Sequence, residues 1–395
     1  MNLKVQATTK DAQQLRTRVI ESIDELEPSA WNELTDSTYP FIRHEFLSAL
    51  EATGCASEST GWLPNHLICE SATGELLGAM PLYLKSNSYG EFVFDFSWAN
   101  AYQQAGLSYY PKLVSAIPFT PATGPRILVP KNHERAAAIQ RRLIADCIEI
   151  ATDKKYSSLH VLMPDSDNIE LLKNMGLLIR KDCQFHWHND DYSDFDDFLA
   201  TFTAKKRKKV KRERRRMTEQ NIHFEVRSGS ELDSSDWAKI MPLYRHTFLR
   251  RGREPYLDQN FFSEIATRLP ESLVAFMGFQ ENKLVSVAIC FRSETALYGR
   301  YWGANEFIDS LHFETCYYQG IDYCIEHGLD LYEPGTQGEH KISRGFVPAE
   351  TCSAHWLLEP RFATAVDEYL ERERDYIDEY IDAARNHIPY RKNDN

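Results

Sequence analysis

No two of the chain's eight cysteines, at positions 55, 69, 147, 183, 290, 316, 324 and 352, form a CxxC pair. That absence excludes a zinc ribbon, a thioredoxin-type motif and a dense disulfide framework. No stretch of about 18 apolar residues occurs, so the sequence predicts no membrane-spanning helix. The opening MNLKVQATTKDAQQLRTRVIESIDEL lacks the apolar core of a signal peptide, and free thiols fit a reducing compartment, so a cytoplasmic location is expected. There is no GxxxxGK[ST] loop, no GxGxxG after a strand, no HExxH and no GxSxG. Nucleotide hydrolysis, dinucleotide binding, zinc peptidase and α/β-hydrolase chemistry therefore lack their usual signatures. In QFHWHN (184–189), His186 and His188 point to one side of a strand, but nothing nearby supplies further ligands, so no metal is expected.

What remains is an ordinary globular composition: 395 residues, 43% hydrophobic and 26% charged. The length suits two domains or one domain of two lobes, with a core that needs no covalent staples. Charge is the uneven feature. Residues 205–216 read KKRKKVKRERRR, ten bases and one acid; setting them aside takes the rest of the chain from −13 to −22. Just before them lies NDDYSDFDDF (189–198), with five Asp. This charge switch marks the expected lobe boundary, giving lobes 1–190 and 191–395.

Periodicity predicts a helix at 16–26, strands at 66–71, 75–84 and 92–97, a helix at 132–152, and strands at 157–163 and 179–187. The second half reads as helices at 203–219 and 235–250, then strands at 272–280, 283–292 and 295–301. A helix at 310–327, strands at 329–333 and 352–358 and a helix at 361–385 follow. Each half is helix, strand meander, helix, strand, strand, which suggests a structural duplication without a residue-level repeat. The class is mixed α/β, or α+β, with partly antiparallel sheets.

On a helical wheel, Leu199, Thr203, Val210 and Met217 share one face of the basic segment, while Lys205, Lys208, Arg212, Arg215 and Arg216 lie on the other. Like charges at i,i+4 destabilise a helix. A polyphosphate partner such as tRNA, coenzyme A, a lipid pyrophosphate or an anionic membrane surface explains the crowding, and so does a solvated helix neutralised by the Asp cluster. Specific DNA reading fits poorly with the acidic remainder.

Two further blocks carry chemistry. On DSLHFETCYYQGIDYCIEHGL (309–329), Glu314 projects from an apolar stripe of Leu311, Tyr318, Ile321 and Ile325. A buried carboxylate is either a raised-pKa general base or the partner of a buried base such as Arg300, which YGRYWG (298–303) places between aromatic rings. His312 lies on the opposite face. The second block, EPGTQGEHKISRGFVP (333–348), crowds Glu339, His340, Lys341 and Arg344 into a glycine-rich turn suited to holding phosphate or an oxyanion. Tyr301, and the tracts FDFSWANAYQQAGLSYYPKL (with Trp98 and Tyr102) and PFTPATGPR, read either as cleft walls or as aromatic core.

Together, SWANAYQQAGLSYYPKL, PFTPATGPR, QFHWHN, KKRKKVKRERRR, YGRYWG, LHFETCYYQG and GEHKISRGF resemble the bacterial predicted N-acyltransferases labelled peptidoglycan biosynthesis/recognition proteins. These belong to the GNAT-like superfamily, near the Fem aminoacyltransferases, and the resemblance spans about residues 28–375. It implies two GNAT-like acyltransferase lobes across a cleft, each a mixed sheet flanked by helices. The implied reaction moves an acyl or aminoacyl group from an activated donor to an amine, with no bound cofactor and with aminoacyl-tRNA or acyl-CoA as co-substrate. HKISRGF resembles the late FK-x-x-F motif of Fem enzymes, which places Lys341 near the donor. The GNAT loop R/Q-x-x-G-x-G/A and the long heptad arm of some Fem enzymes are absent. On this reading Glu314 is the base, with Lys341, Arg344, Arg300 and His340 at the reacting centre. Lys205, Lys208, Arg212 and Arg215 grip the donor's phosphates, tRNA ahead of coenzyme A, while His312, Glu339, Tyr301, Trp98 and Tyr102 line the site. The alternative is a non-catalytic module of the same fold that recognises a cell-wall precursor or nucleic acid.

Overall fold

The computed structural model describes residues 15–336 and 338–391. Its strands are β1 (Leu15–Ile20), β2 (Trp62–Pro64), β3 (His66–Ser71), β4 (Leu76–Met80), β5 (Tyr83–Lys85), β6 (Lys112–Ser115), β7 (Ser158–Leu162) and β8 (Leu178–His188), then β9 (Ile222–Ser228), β10 (Leu273–Gln280), β11 (Lys283–Arg292), β12 (Ala296–Ala304), β13 (Leu331–Glu333) and β14 (Val347–Leu357). Two expectations fail. Residues 16–26 are not a helix but β1 and a 3-10 turn, because alternate residues pair along β3 from Leu15↔Ser71 to Ile20↔His66 and Arg18 reaches Glu70 at 3.1 Å. Residues 92–97 are not a strand: Phe92 sits at φ 59°, which breaks an extended run, and a helix begins at Phe96.

β1, β3 and β4 form a small sheet, and the other eleven strands form one continuous sheet in the order β2-β5-β6-β7-β14-β8-β13-β12-β11-β10-β9. Both parallel pairs, β6–β7 and β12–β13, close a strand–helix–strand unit. The helices that make these crossovers are Ala136–Asp153 and the segment 311–326. The duplication suggested by element order is thus present in the topology. At the centre the halves exchange strands. β14, from the second half, lies between β7 and β8, while β8, from the first, pairs with β13. The carboxy-terminal helix Pro360–Arg385 packs over β8 and β14 and covers this exchange. No helix among the described residues is long and apolar enough to cross a membrane.

Where a parallel pair ends, its strands part and leave a wedge. In the first half the proline-rich segment 118–126 fills that wedge, with Gly124 bridged to Pro164. Arg126, fully buried, holds the segment by donating to the carbonyls of Ala122, Gly124, Pro125 and Leu162 at 2.8–3.1 Å. In the second half β12 pairs with β13 only from Ala296 to Tyr298, then runs on to Ala304 while β13 stops at Glu333. That wedge stays open.

The strand exchange makes each half dependent on the other. A fragment ending at residue 190 leaves β8 without β13 and β14 and bares strand edges on both sides. It is expected to show no cooperative thermal transition by circular dichroism, whereas the whole chain melts cooperatively; a sharp transition in the fragment would show that the first half folds alone.

Candidate active site

The open wedge is a small cleft of about 80 Å³ whose lining includes Arg300, Trp302, His312, Cys316, Tyr317 and Tyr332. Its roof is the segment 311–326, which starts from Ser310 in a left-handed conformation and widens into a π-turn at Glu314–Tyr318. Such turns interrupt the regular face pattern of a helix and concentrate at functional sites. Here His312, Cys316 and Tyr317 face the cleft, whereas Glu314 and Tyr318 face the basic helix Ala204–Glu219. The roof can press onto β13 because position 320 is glycine: a Cβ there would lie 2.4 Å from the Tyr332 ring.

At the cleft's edge is the 3-10 turn Glu339–Arg344. His340 Nε2 is 2.7 Å from the Tyr317 hydroxyl, and the His312 and His340 rings are 5.9 Å apart. Burial, then the positive neighbours His340, Arg344 and Lys341, push His312 down to about 4, so its imidazole is neutral at physiological pH. His340 is lowered in the same way, burial first and then Arg344 and Lys341. Lys341 is 1% exposed and its ammonium donates to the Gly335 carbonyl. With no carboxylate against it among the described residues, burial pulls its pKa down to about 7.

The turn is tied to the basic helix by the single acid of the basic run. Glu213 is buried between Val210 and Met217 and accepts from Arg344 at 2.8 and 3.0 Å and from the Tyr318 hydroxyl. Arg344 also donates to the His340 carbonyl at 2.7 Å and stacks 3.3 Å above the Phe313 ring. At the next residue, Arg214 bridges Glu314 at 3.2 Å and Asp322 at 2.6 Å.

These contacts sort the expected residues. His312 and Arg300 line the cleft, and His340, on the neighbouring turn with Lys341, touches its wall at Tyr317 and His312. Glu314 does not: it is 3% exposed, bonded to Arg214 and Gln319, and anchors the basic helix. Burial raises its pKa against the pull of Arg214. Arg300 is not its partner, since Arg300 donates to the Phe119 carbonyl at 2.7 Å and so braces the proline-rich segment against β12. Tyr301 is buried and shares that carbonyl at 3.4 Å. Arg344 is committed to Glu213, so an incoming phosphate would have to displace a buried ion pair. Glu339 is exposed and accepts from Tyr380 at 3.0 Å. Trp98 and Tyr102 lie in the core of the first half, Trp98 against His160 and His355 and Tyr102 on Phe362, and line no part of this cleft. Lys205, Lys208, Arg212 and Arg215 form an exposed ridge, with Arg215 paired to Glu219 at 3.1 Å. Tyr317 and Cys316 were not singled out by sequence reasoning; only the π-turn, which no periodicity reveals, turns both towards the cleft.

Two measurements test this description. Glu213→Ala leaves the Arg344 charge buried without its counter-ion and is expected to cost about 3–5 kcal/mol in urea unfolding; a loss below 1 kcal/mol would show the pair to be dispensable. For Lys341 the folded pKa lies below the unfolded value near 10.5, so the unfolded chain binds more protons between about pH 7 and 10.5. Stability therefore gains a rising contribution from this group across that window and is penalised below it. Lys341→Met is expected to flatten that part of the stability–pH profile.

With the geometry in place, comparison with known proteins is direct. Residues 22–392 match the FemAB-like family model for peptidoglycan biosynthesis/recognition. No curated protein matches the chain in sequence. Among solved structures, FemX aligns at a TM-score of 0.52 and 14% identity, covering 89% of this chain and 100% of that one. The C-terminal domain of a protein assigned as a lysylphosphatidylglycerol synthetase from Agrobacterium fabrum aligns at 0.52 and 9%, covering 87% and 94%. At such identities the likeness is one of fold, mixed sheets flanked by helices. The family match extends over nearly the whole chain, and the protein belongs to the FemAB-like peptidoglycan biosynthesis/recognition family.

Proposed function

We propose that the protein transfers an acyl or aminoacyl group from an activated donor to an amine, with a cell-wall precursor as the acceptor suggested by the family. The observation that carries this reading is the open wedge between β12 and β13, lined by the neutral His312 and flanked by the turn that carries His340 and the buried Lys341. An amine attacking an ester must lose a proton while its tetrahedral oxyanion gains a counter-charge. His312 is neutral and faces the cleft, so it serves as the base in place of the expected Glu314. Lys341, near neutrality, supplies positive charge to the oxyanion when protonated. Tyr317, bonded to His340, fixes the imidazole beside it. The exposed Lys205, Lys208 and Arg212 give the donor's phosphates a binding ridge, which favours aminoacyl-tRNA over acyl-CoA because a ridge along a helix suits an extended polyanion.

The test is filter binding of charged tRNA at low and moderate salt, with acyl-CoA as competitor. Binding is expected to weaken steeply with salt, and neutralising Lys205, Lys208 and Arg212 together should reduce the slope of log K against log salt by about 2. In single-turnover discharge of the tRNA, His312→Ala should slow transfer about a hundredfold with binding intact. Absence of tRNA binding would transfer the donor role to acyl-CoA; binding without discharge to any amine would mark a recognition module instead.

A further inference from the structure

A second polar cluster lies in the core of the first half, apart from the wedge and independent of the transfer reading above. Lys112, fully buried, donates to Ser88 at 2.9 Å, to Glu91 at 2.8 Å and to Asp95. The Tyr109 hydroxyl donates to the same Asp95 oxygen and lies 3.2 Å from His160 Nε2. His160 Nε2 is also 2.7 Å from the Ser158 hydroxyl. His160 Nδ1 meets His355 Nδ1, and His355 Nε2 is 2.8 Å from the Ser353 hydroxyl. His160 and His355 are register partners across β7 and β14, so the exchange of strands between the halves is what joins them.

The direction of this chain follows from its acidic end. A carboxylate oxygen only accepts, so the single hydroxyl proton of Tyr109 is given to Asp95. In the tautomer that carries the His160 proton on Nε2, that nitrogen donates to the Tyr109 and Ser158 oxygens and Nδ1 is left as a lone pair. His355 must accordingly carry its proton on Nδ1 to fill that contact. Its Nε2 is then bare and accepts from Ser353. Every bond points from Ser353 towards Asp95, the arrangement that prepares a hydroxyl to lose its proton. Burial and the nearby Lys112 and Arg180 keep both rings neutral, His160 pushed down to about 3 and His355 well below its ordinary value.

Ser353 does not end in packed core. With Val93, Met163, Arg180, Glu373 and Ile377 it lines a partly open cavity of about 220 Å³ beneath the carboxy-terminal helix. Arg180 is the register partner of Ser353 on β8 and lines the same cavity. It is fixed there by Glu373 at 2.8 Å and by the Phe94 carbonyl at 2.8 Å. A purely structural network has no need of a cavity at its donor end.

We propose that Ser353 is a relay-activated nucleophile, with His355 as its base, that accepts short acyl groups from esters or thioesters entering this cavity. In the step, Ser353 Oγ forms a bond to the carbonyl carbon as its proton passes to His355 Nε2. The carbonyl electron pair moves to oxygen, beside Arg180, and returns as the bond to the leaving alkoxide or thiolate breaks. His355 gives its proton to that leaving group, and an acyl-serine ester remains. Asp95 and Tyr109, through His160, orient the base without touching substrate.

Diisopropyl fluorophosphate, a small probe of activated serines, tests this on the whole folded chain. Intact mass is expected to rise by one diisopropylphosphoryl group, and peptide mapping should place it at Ser353. Ser353→Ala should abolish labelling, and His355→Gln, checked for an unchanged melting profile, should slow it about a hundredfold. Lys341→Met, which acts only at the other cleft, should label at the wild-type rate. An unmodified wild-type chain, a label on another residue, or equal labelling of His355→Gln would overturn the proposal.

Discussion

The pairing of Glu213 with Arg344 is the contact on which the second-half site depends. A helix with ten bases in twelve positions has little intrinsic reason to lie against a protein, and its apolar stripe is narrow, Val210 and Met217 alone being buried besides Glu213. Placing the one acid between those two residues turns the stripe into a specific dock. One guanidinium nitrogen of Arg344, shared between both Glu213 oxygens, holds the helix to the turn, and the Tyr318 hydroxyl completes the carboxylate's bonding. Because Arg344 belongs to the turn that carries His340 and Lys341, the same pair also sets where those two groups stand. Buried ion pairs add little net stability compared with apolar packing, but they penalise every other arrangement. At this junction the outcome is a defined orientation between ridge and cleft.

The molecule has two wedges, one at each parallel strand pair, and the chain treats them differently. In the first half Arg126 spends its donors on four backbone carbonyls to hold the proline-rich segment in place, so that wedge is closed by the chain itself. The segment in turn receives Arg300 and Tyr301 from β12 at the Phe119 carbonyl. The plug of one wedge is therefore a brace for the strand that forms the other. A cleft of this kind needs rigid walls if its groups are to stay within hydrogen-bond reach of a reacting centre. The exchanged strands β8 and β14 supply the remaining rigidity, since neither half has a complete sheet without the other.

Much of the fold was legible because its signals are local. Strands 272–280 and 283–292 and the basic helix show in periodicity and charge, and the block order carries the family resemblance. The failures have physical causes. Alternation in Leu15–Ile20 was hidden by flanking acidic residues that read as helix formers, yet pairing with β3 decides the outcome. Short β2 and β6 are too brief for periodicity to declare. Glu314 was rightly read as buried on an apolar stripe, but the stripe has two sides, and only the π-turn determines that it faces Arg214 while His312 faces the cleft. Trp98 was a correct sign of something aromatic and wrong as a cleft wall, because its partners, His160 and His355, come from strands that no sequence separation connects. The wheel placed Lys205, Lys208 and Arg212 outward, where they are.

The distribution of pairs along the basic helix bears on what binds there. Lys209, Lys211, Arg214, Arg215 and Arg216 each meet a carboxylate, whereas Lys205, Lys206, Arg207, Lys208 and Arg212 have no ion pair among the described residues. Four of the five unpaired bases thus gather in the first turn and a half, which is the wrong end for them: a helix N-terminus carries partial positive charge and is stabilised by anions. Four bases at that end repel both one another and the dipole. A solvated structural helix would be more stable with the order reversed, bases last and acids first. A bound polyanion removes the conflict, since its phosphates meet the side chains and the dipole with one sign of charge. The acidic cluster at 190–197 offers only a partial internal substitute, with Lys211 to Asp196 at 2.8 Å lying past the crowded turn. The helix is therefore secured at its far end and left electrostatically unsatisfied at its near end, and that pattern favours an external phosphate ligand over self-neutralisation.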